Sequence, residues 1–149
     1  MSADLLSDAS FGAANDADVL RVLVVDDNAD SARTLAWVIE LEGYEVSVCL
    51  SGPQAVDMAR SFRPHVVLLD LGMPGMNGYE VCRALRADAM LGHVKIIAQT
   101  GWSDAAAKRK TAESGFDLHL VKPVNMAVLN DMLDLLAHTA GATRRQAAA

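Results

Sequence analysis

Between residues 20 and 140 the chain alternates, five times over, a short run rich in β-branched residues with a stretch whose apolar residues recur at helical spacing. The runs are Arg21-Val-Leu-Val-Val25, Glu45-Val-Ser-Val-Cys49, His65-Val-Val-Leu-Leu69, Val94-Lys-Ile-Ile-Ala98 and Leu118-His-Leu-Val121. Runs apolar throughout suit strands covered on both faces, whereas Glu45 to Cys49 alternates. Asp30 or Ser31 is expected to cap a first helix carrying Leu35, Val38 and Ile39 and stopped by Gly43. Gly52-Pro53 opens a second, with Pro53 in the first turn, where its missing N–H costs little. Val81, Cys82 and Leu85 mark a third. Ser103 or Asp104 opens an Ala-rich fourth with Lys108, Arg109 and Lys110, ending before Gly115. Leu129, Met132, Leu133 and Leu136 stripe the fifth. Strands and helices in strict alternation predict parallel strands joined by right-handed crossovers, with helices on both faces. The expectation is one doubly wound α/β domain.

Length and charge narrow what such a domain could do. The chain's 149 residues are too few for two ordinary domains. Residues 1–19 read as a poorly ordered arm, 20–140 as the domain and 141–149 as a flexible tail. The net charge of −6 argues against nucleic-acid binding, which needs a basic footprint. No apolar run approaches the ~20 residues that span a bilayer. Met1 to Asp18 holds four aspartates and no Lys or Arg, unlike a secretory signal. Cys49 and Cys82 lie in apolar segments without a metal or redox spacing and read as reduced core thiols. A cytoplasmic, non-membrane protein is expected.

In sheets of this kind, sites form in the crevice beyond the carboxyl ends of the strands. Asp26-Asp27 follow the first strand, Asp70 the third, Gln99-Thr100 the fourth and Lys122-Pro123 the fifth. Three carboxylates, a hydroxyl and an ammonium thus fall at one edge. Crowded carboxylates resist ionising unless a cation relieves their repulsion. Mg²⁺ takes about six oxygens, usually from one or two carboxylates plus waters and phosphate oxygens. A carboxylate beside it can attack phosphorus and form an acyl phosphate. Lys122 and Thr100 can supply positive charge and a positioned donor to the phosphoryl oxygens. Taken singly, Asp26 and Asp27 could be acids ahead of a helix, Asp70 a turn residue, and Thr100 and Lys122 structural or solvated.

The ordered set resembles the receiver domain of bacterial response regulators over roughly residues 20–140. The elements are Asp26-Asp27 after a Val-rich strand, Asp70 in Leu-Leu-Asp-Leu-Gly-Met-Pro-Gly-Met-Asn-Gly78, then Thr100 and Lys122-Pro123. The resemblance implies a flavodoxin-like five-stranded sheet in the order 2-1-3-4-5. It implies that Asp70 is the phosphoacceptor and that Asp27, Asp70 and the Gly72 carbonyl ligate Mg²⁺ (or Mn²⁺), with Asp26 nearby or acting through water. Lys122 would pair with Asp70 and then the phosphoryl group, Thr100 would move to bond it, and Lys122-Pro123 would be cis. The implied donor is a sensor histidine kinase or a histidine phosphotransfer protein. The implied target is a protein meeting the face of the fourth helix, fifth strand and fifth helix. Such a domain assists its own phosphorylation and is not a turnover enzyme.

Three positions depart from the commonest pattern. Gly101 stands where Ala is frequent, Trp102 is bulky beside the phosphoryl pocket, and His119 replaces the switching Tyr or Phe. The segments Gln99–Trp102 and Gly115–Val124 look most like receivers attached to hybrid sensor kinases, although a stand-alone domain is expected from the chain's length. A charged imidazolium resists entering an apolar gap, so the switch is expected to weaken below about pH 6. His65, His93 and His138 are expected to be structural or solvated, Met73 and Met76 to pack, and Lys108 to Lys110 to be a solvated helix face. Two other readings remain: a degenerate receiver that binds partners without phosphorylation, and a flavin binder or aspartyl phosphatase. The latter is disfavoured because Asp26-Asp27-Asn28 repels phosphate and Gly72 stands where such a phosphatase has its second Asp.

Overall fold

The computed structural model describes residues 19–73, 77–101 and 105–145. Its strands are β1 (Arg21–Val25), β2 (Glu45–Cys49), β3 (Val66–Asp70), β4 (Lys95–Thr100) and β5 (Leu118–Val121). The helices among the described residues are α1 (Ala29–Leu41), α2 (Gly52–Phe62), α3 (Gly78–Ala87), α4 (Ala105–Glu113) and α5 (Met126–Ala140). The strands form one sheet in the order β2-β1-β3-β4-β5, and every pairing is parallel. This is the doubly wound, flavodoxin-like arrangement expected.

Period-two alternation sends neighbouring strand residues to opposite faces, and here both faces are covered. Leu23, Val25, Val67, Leu69 and Ile96 pack with Ala55 and Ala59 of α2 and Val81 and Leu85 of α3. Val22, Val24, Leu68 and Ile97 pack on the other side with Ile39 of α1 and Leu129 and Leu133 of α5. All the β3 side chains are buried, whereas β2, at the sheet edge, is mostly half-buried. Each fully buried Leu or Val contributes about 1.5–3 kcal/mol, so the two layers together hold the sheet.

Several local features differ from expectation. The cap of α1 is Asn28, whose side chain accepts from the Ser31 N–H, rather than Asp30 or Ser31. Strands β3 and β4 run further than their apolar runs, so Asp70 and Thr100 are the last strand residues rather than the first beyond. The backbone ladder continues through a polar residue as long as its neighbour keeps pairing, here Asp70 with Gln99. The start of α4 proposed at Ser103 or Asp104, like Trp102, Met76 and residues 1–18 of the arm expected at 1–19, lies outside the described residues, while Val19 is buried and belongs to the fold. The expected tail makes defined contacts over 142–145. Thr143 bridges Val19, Ala142 is buried, and Arg144 grips Asp134 with two 2.7 Å bonds.

Strand β1 lies between β2 and β3, so the chain leaves it on one face and returns on the other. The crevice this reversal opens lies beyond the carboxyl ends of β1 and β3. Among the described residues, no helix is long and apolar enough to cross a membrane.

Candidate functional site

Every residue singled out at the strand ends arrives at this crevice. Asp26 and Asp27 follow β1, Asp70 ends β3, Thr100 ends β4 and Lys122 follows β5. Carboxylate oxygens of Asp26, Asp27 and Asp70 lie within 4.8 Å of one another. Asp26 and Asp70 are buried, at 2% and 7% exposure, while Asp27 faces solvent. Lys122 Nζ stands 3.2 Å from Asp70 Oδ2 and 3.7 Å from Asp26 Oδ2.

Backbone donors aim these carboxylates. The Gly72 N–H donates to Asp70 Oδ1 at 3.0 Å, and the Asn28 N–H donates to Asp26 Oδ1 at 3.0 Å. The Asp26 and Leu71 amides are tied to Cys49 O and Gln99 O on neighbouring strands, and the Lys122 N–H donates to Thr100 O at 2.8 Å. The Lys122-Pro123 bond is cis, as the resemblance implies. Burial holds the Asp26 carboxyl above its ordinary value, opposed by the Asn28 N–H; Asp70 raises it further and Lys122 lowers it. A buried carboxyl in that state is short of positive charge. Three oxygen donors, with no nitrogen or sulfur ligand among them, fit a hard divalent cation.

Two contributors went unassigned in the sequence. Gly78, the first residue of α3, lies so close to the end of β3 that a Cβ there would meet Asp70 O at 2.6 Å and Leu71 Cα at 2.7 Å. It lets α3 rest on the backbone that carries Asp70, and only the Asn-Gly dipeptide hinted at a tight approach. Gln99 is buried, and its Nε2 has no hydrogen-bond partner among the described residues. Among the described residues, nothing lies within 4 Å of where a Cβ on Gly101 would project. Met73 is buried as expected, and Lys108 and Arg109 are exposed. Lys110 lies 4.4 Å from the centre of the Tyr79 ring. His119 Nδ1 lies 3.1 Å from the hydroxyl of buried Thr111 on α4.

The sequence matches the response regulator receiver domain over residues 22–134. The DNA-binding response regulator MtrA of Mycobacterium leprae is 45% identical over 103 residues, 69% of this chain and 44% of that protein. Response regulator PleD of Caulobacter vibrioides is 38% identical over 109 residues, covering 73% of this chain and 24% of that one. The chain therefore spans less than half the length of these curated relatives. Among solved structures, chemotaxis protein CheY4 of Vibrio cholerae superposes with a TM-score of 0.75 at 28% identity, covering 79% of this chain and 98% of that one. The signal receiver domain of a signal transduction histidine kinase from Syntrophus aciditrophicus gives 0.75 at 28% identity, covering 88% and 99%. With the sheet order and the matched residues in agreement, this chain belongs to the response regulator receiver domain family.

Proposed function

We propose that the chain is a phosphoacceptor in a two-component phosphorelay, with Asp70 taking a phosphoryl group from a phosphohistidine on a sensor histidine kinase or a histidine phosphotransfer protein. The observation that carries this reading is the Lys122 ammonium 3.2 Å from Asp70, inside a cluster of three carboxylates. An Asp70 oxygen forms the O–P bond as the donor's P–N bond breaks, and the imidazole leaves. The Gly72 N–H fixes the carboxylate's rotation, so its lone pair is aimed before the donor arrives. Lys122 then follows the charge from the carboxylate to the phosphoryl oxygens, and the Thr100 hydroxyl supplies a further donor.

Asp27, Asp70 and the Gly72 carbonyl would hold Mg²⁺ or Mn²⁺, with Asp26 adjacent. When bound, the cation would neutralise the carboxylates and the phosphoryl oxygens. The donor protein has a groove of about 720 Å³ to dock against, with Ser31, Thr34 and Val38 of α1 on one wall and Pro123, Val124 and Met126 on the other. The output is a change in the surface of α4, β5 and α5 that a partner protein reads, without nucleic acid or membrane as ligand. The domain promotes its own modification and is not a turnover enzyme, and a cytoplasmic setting supplies the phosphodonors it needs.

The test is to incubate the protein with a small-molecule phosphodonor and Mg²⁺, then trap and map the acyl phosphate. Asp70 should carry all of the label, and EDTA or Asp70→Ala should abolish it. Label on another residue, or full labelling of Asp70→Ala, rejects the assignment. Offering the domain to a panel of radiolabelled kinases then identifies its donor.

A further inference from the structure

The opposite edge of the sheet, where β1, β3 and β4 begin, carries the reverse charge. A cavity of about 340 Å³ opens there, lined on its polar side by Arg21, Arg60, Arg63, His65 and His93 and on its apolar side by residues including Met90 and Leu91. Among the described residues, no carboxylate lines it. Arg60 is neutralised by Asp88 at 2.7 Å, but among the described residues no acid pairs with Arg21, Arg63 or His93. His65 and His93 also line a smaller neighbouring depression with Lys95, which extends the cationic rim.

The site is built and not merely an accumulation of surface charge. The His65 Nδ1 accepts the Arg21 backbone N–H at 2.9 Å, so that nitrogen is unprotonated and the neutral ring carries its proton on Nε2. His65, which lines the cavity, therefore has its donor at Nε2. Burial, Arg21 and His93 together keep its ring below the ordinary value, consistent with that neutral form in a positive field. The Arg21 Nε donates to Arg63 O at 2.7 Å, which anchors one edge of the guanidinium and leaves its other nitrogens to a ligand. Arg63 itself caps α2 with φ 55° and ψ 60°. That left-handed position is where glycine is the default, and a non-glycine residue there is held at a conformational cost. Arg63, exposed and in a glycine's place, lines the cavity.

We propose that this basin is an anion site, remote from the phosphoacceptor edge, that takes a small dianionic phosphate, free or as a phosphate ester. Two unpaired guanidinium groups match the charge of a phosphate dianion better than that of a monocarboxylate, and their forked donors match its oxygens. The volume admits a ligand the size of a nucleoside monophosphate or smaller. Met90, half-exposed, offers an apolar surface to the organic part of an ester.

The test is an NMR titration of the full chain in EDTA, so that no cation recruits phosphate to Asp70. The probes are inorganic phosphate and adenosine monophosphate. The expected result is saturable shifts at the amides of Arg63, His65 and His93. Equal affinity for the two probes assigns the free anion, and tighter binding of the nucleotide assigns the ester. Arg63→Gly should weaken binding about tenfold or more, since one charge-assisted contact is lost. It should do so with thermal stability unchanged or raised, because glycine adopts the left-handed cap freely. Arg21→Met should weaken binding as well, while Lys108→Ala should bind as the parent does. Shifts that do not saturate, shifts centred on Asp70 and Lys122, or an Arg63→Gly protein that binds like the parent would each overturn the proposal.

Discussion

The Lys122 ammonium lies between two buried carboxylates, 3.2 Å from Asp70 and 3.7 Å from Asp26. One positive charge therefore faces a cluster of three negative ones, and Lys122 is itself 37% exposed. The site is under-compensated, and each partner's removal should be felt differently with and without a cation.

Removing the ammonium should destabilise the cation-free protein most. Lys122→Met keeps much of the side-chain stem and deletes only the charge. Its melting temperature in EDTA should fall below the parent's, and saturating Mg²⁺ should recover most of the difference. The exposure of Lys122 keeps the expected change modest. Thermal unfolding in EDTA and in Mg²⁺ checks this, and equal melting temperatures in EDTA would mean that the pair contributes nothing.

Asp26 should behave in the opposite sense. Burial first, then the charge of Asp70, raises its carboxyl above the ordinary 3.8 despite the Asn28 N–H and Lys122. Between 3.8 and the raised value the folded state binds more protons than the unfolded chain, so stability falls as pH rises. Below 3.8 the penalty is absent, and above the raised value it is fully expressed. Asp26→Asn should therefore stabilise the protein in EDTA at neutral pH and flatten the decline. Urea midpoints measured from pH 4 to 7.5 in EDTA read it, and an Asn variant less stable than the parent at pH 7 contradicts it. Mg²⁺ should stabilise the parent by RT ln(1 + [L]/Kd), about 2.7 kcal/mol at one hundred times Kd, and the variant by less.

Gly78 should prove as sensitive as a site residue although it has no side chain. A Cβ there would sit 2.6 Å from Asp70 O and 2.7 Å from Leu71 Cα, both backbone atoms that cannot swing away. Gly78→Ala must shift α3 or the end of β3, at about 1–3 kcal/mol by analogy with overpacked cores. Because β3 carries Asp70, the labelling rate should fall beyond what the stability loss explains. Gly101→Ala, whose added methyl meets nothing within 4 Å among the described residues, is the matched control and should be neutral in both assays.

The strand-helix alternation and the strand-end residues were legible because they rest on local signals, whereas the sheet order followed from the resemblance those residues carry. Continuous apolar runs mark β1 and β3, and the residue after an apolar run is read directly. What was not legible depends on the third dimension. Asn28 and Ser31 are equally good caps by residue type, and it is the extended backbone at Asn28, with its side chain accepting from the Ser31 N–H, that makes it the cap. Asp70 and Thr100 extend their strands because neighbours pair with them, which apolar patterning cannot report. The role of Gly78 appears only once α3 is seen against β3. The docking of 142–145 rests on Arg144 meeting Asp134 and on Thr143 meeting Val19, contacts between residues that sequence patterning does not connect.

The contact between His119 and Thr111 bears on the proposed switch. The Thr111 hydroxyl has one proton, and its donation to Lys108 O at 2.8 Å leaves it an acceptor toward His119. The imidazole Nδ1, 3.1 Å away, then carries the proton of that bond. The bond tethers residue 119 of β5 to α4, and a turn of the ring away from Thr111 must break it. A neutral hydrogen bond is worth about 0.5–1.5 kcal/mol net, which changes a near-balanced two-state population roughly twofold to tenfold. His119→Phe and Thr111→Val each remove the tether while keeping a side chain of similar shape. Both should raise the active fraction reached with a phosphoryl mimic, read from the NMR shifts of α4 amides. The double variant should gain no more than either single one, since both act through the same bond. If neither single variant changes that fraction, the contact is a passive packing feature and the switch runs through other atoms.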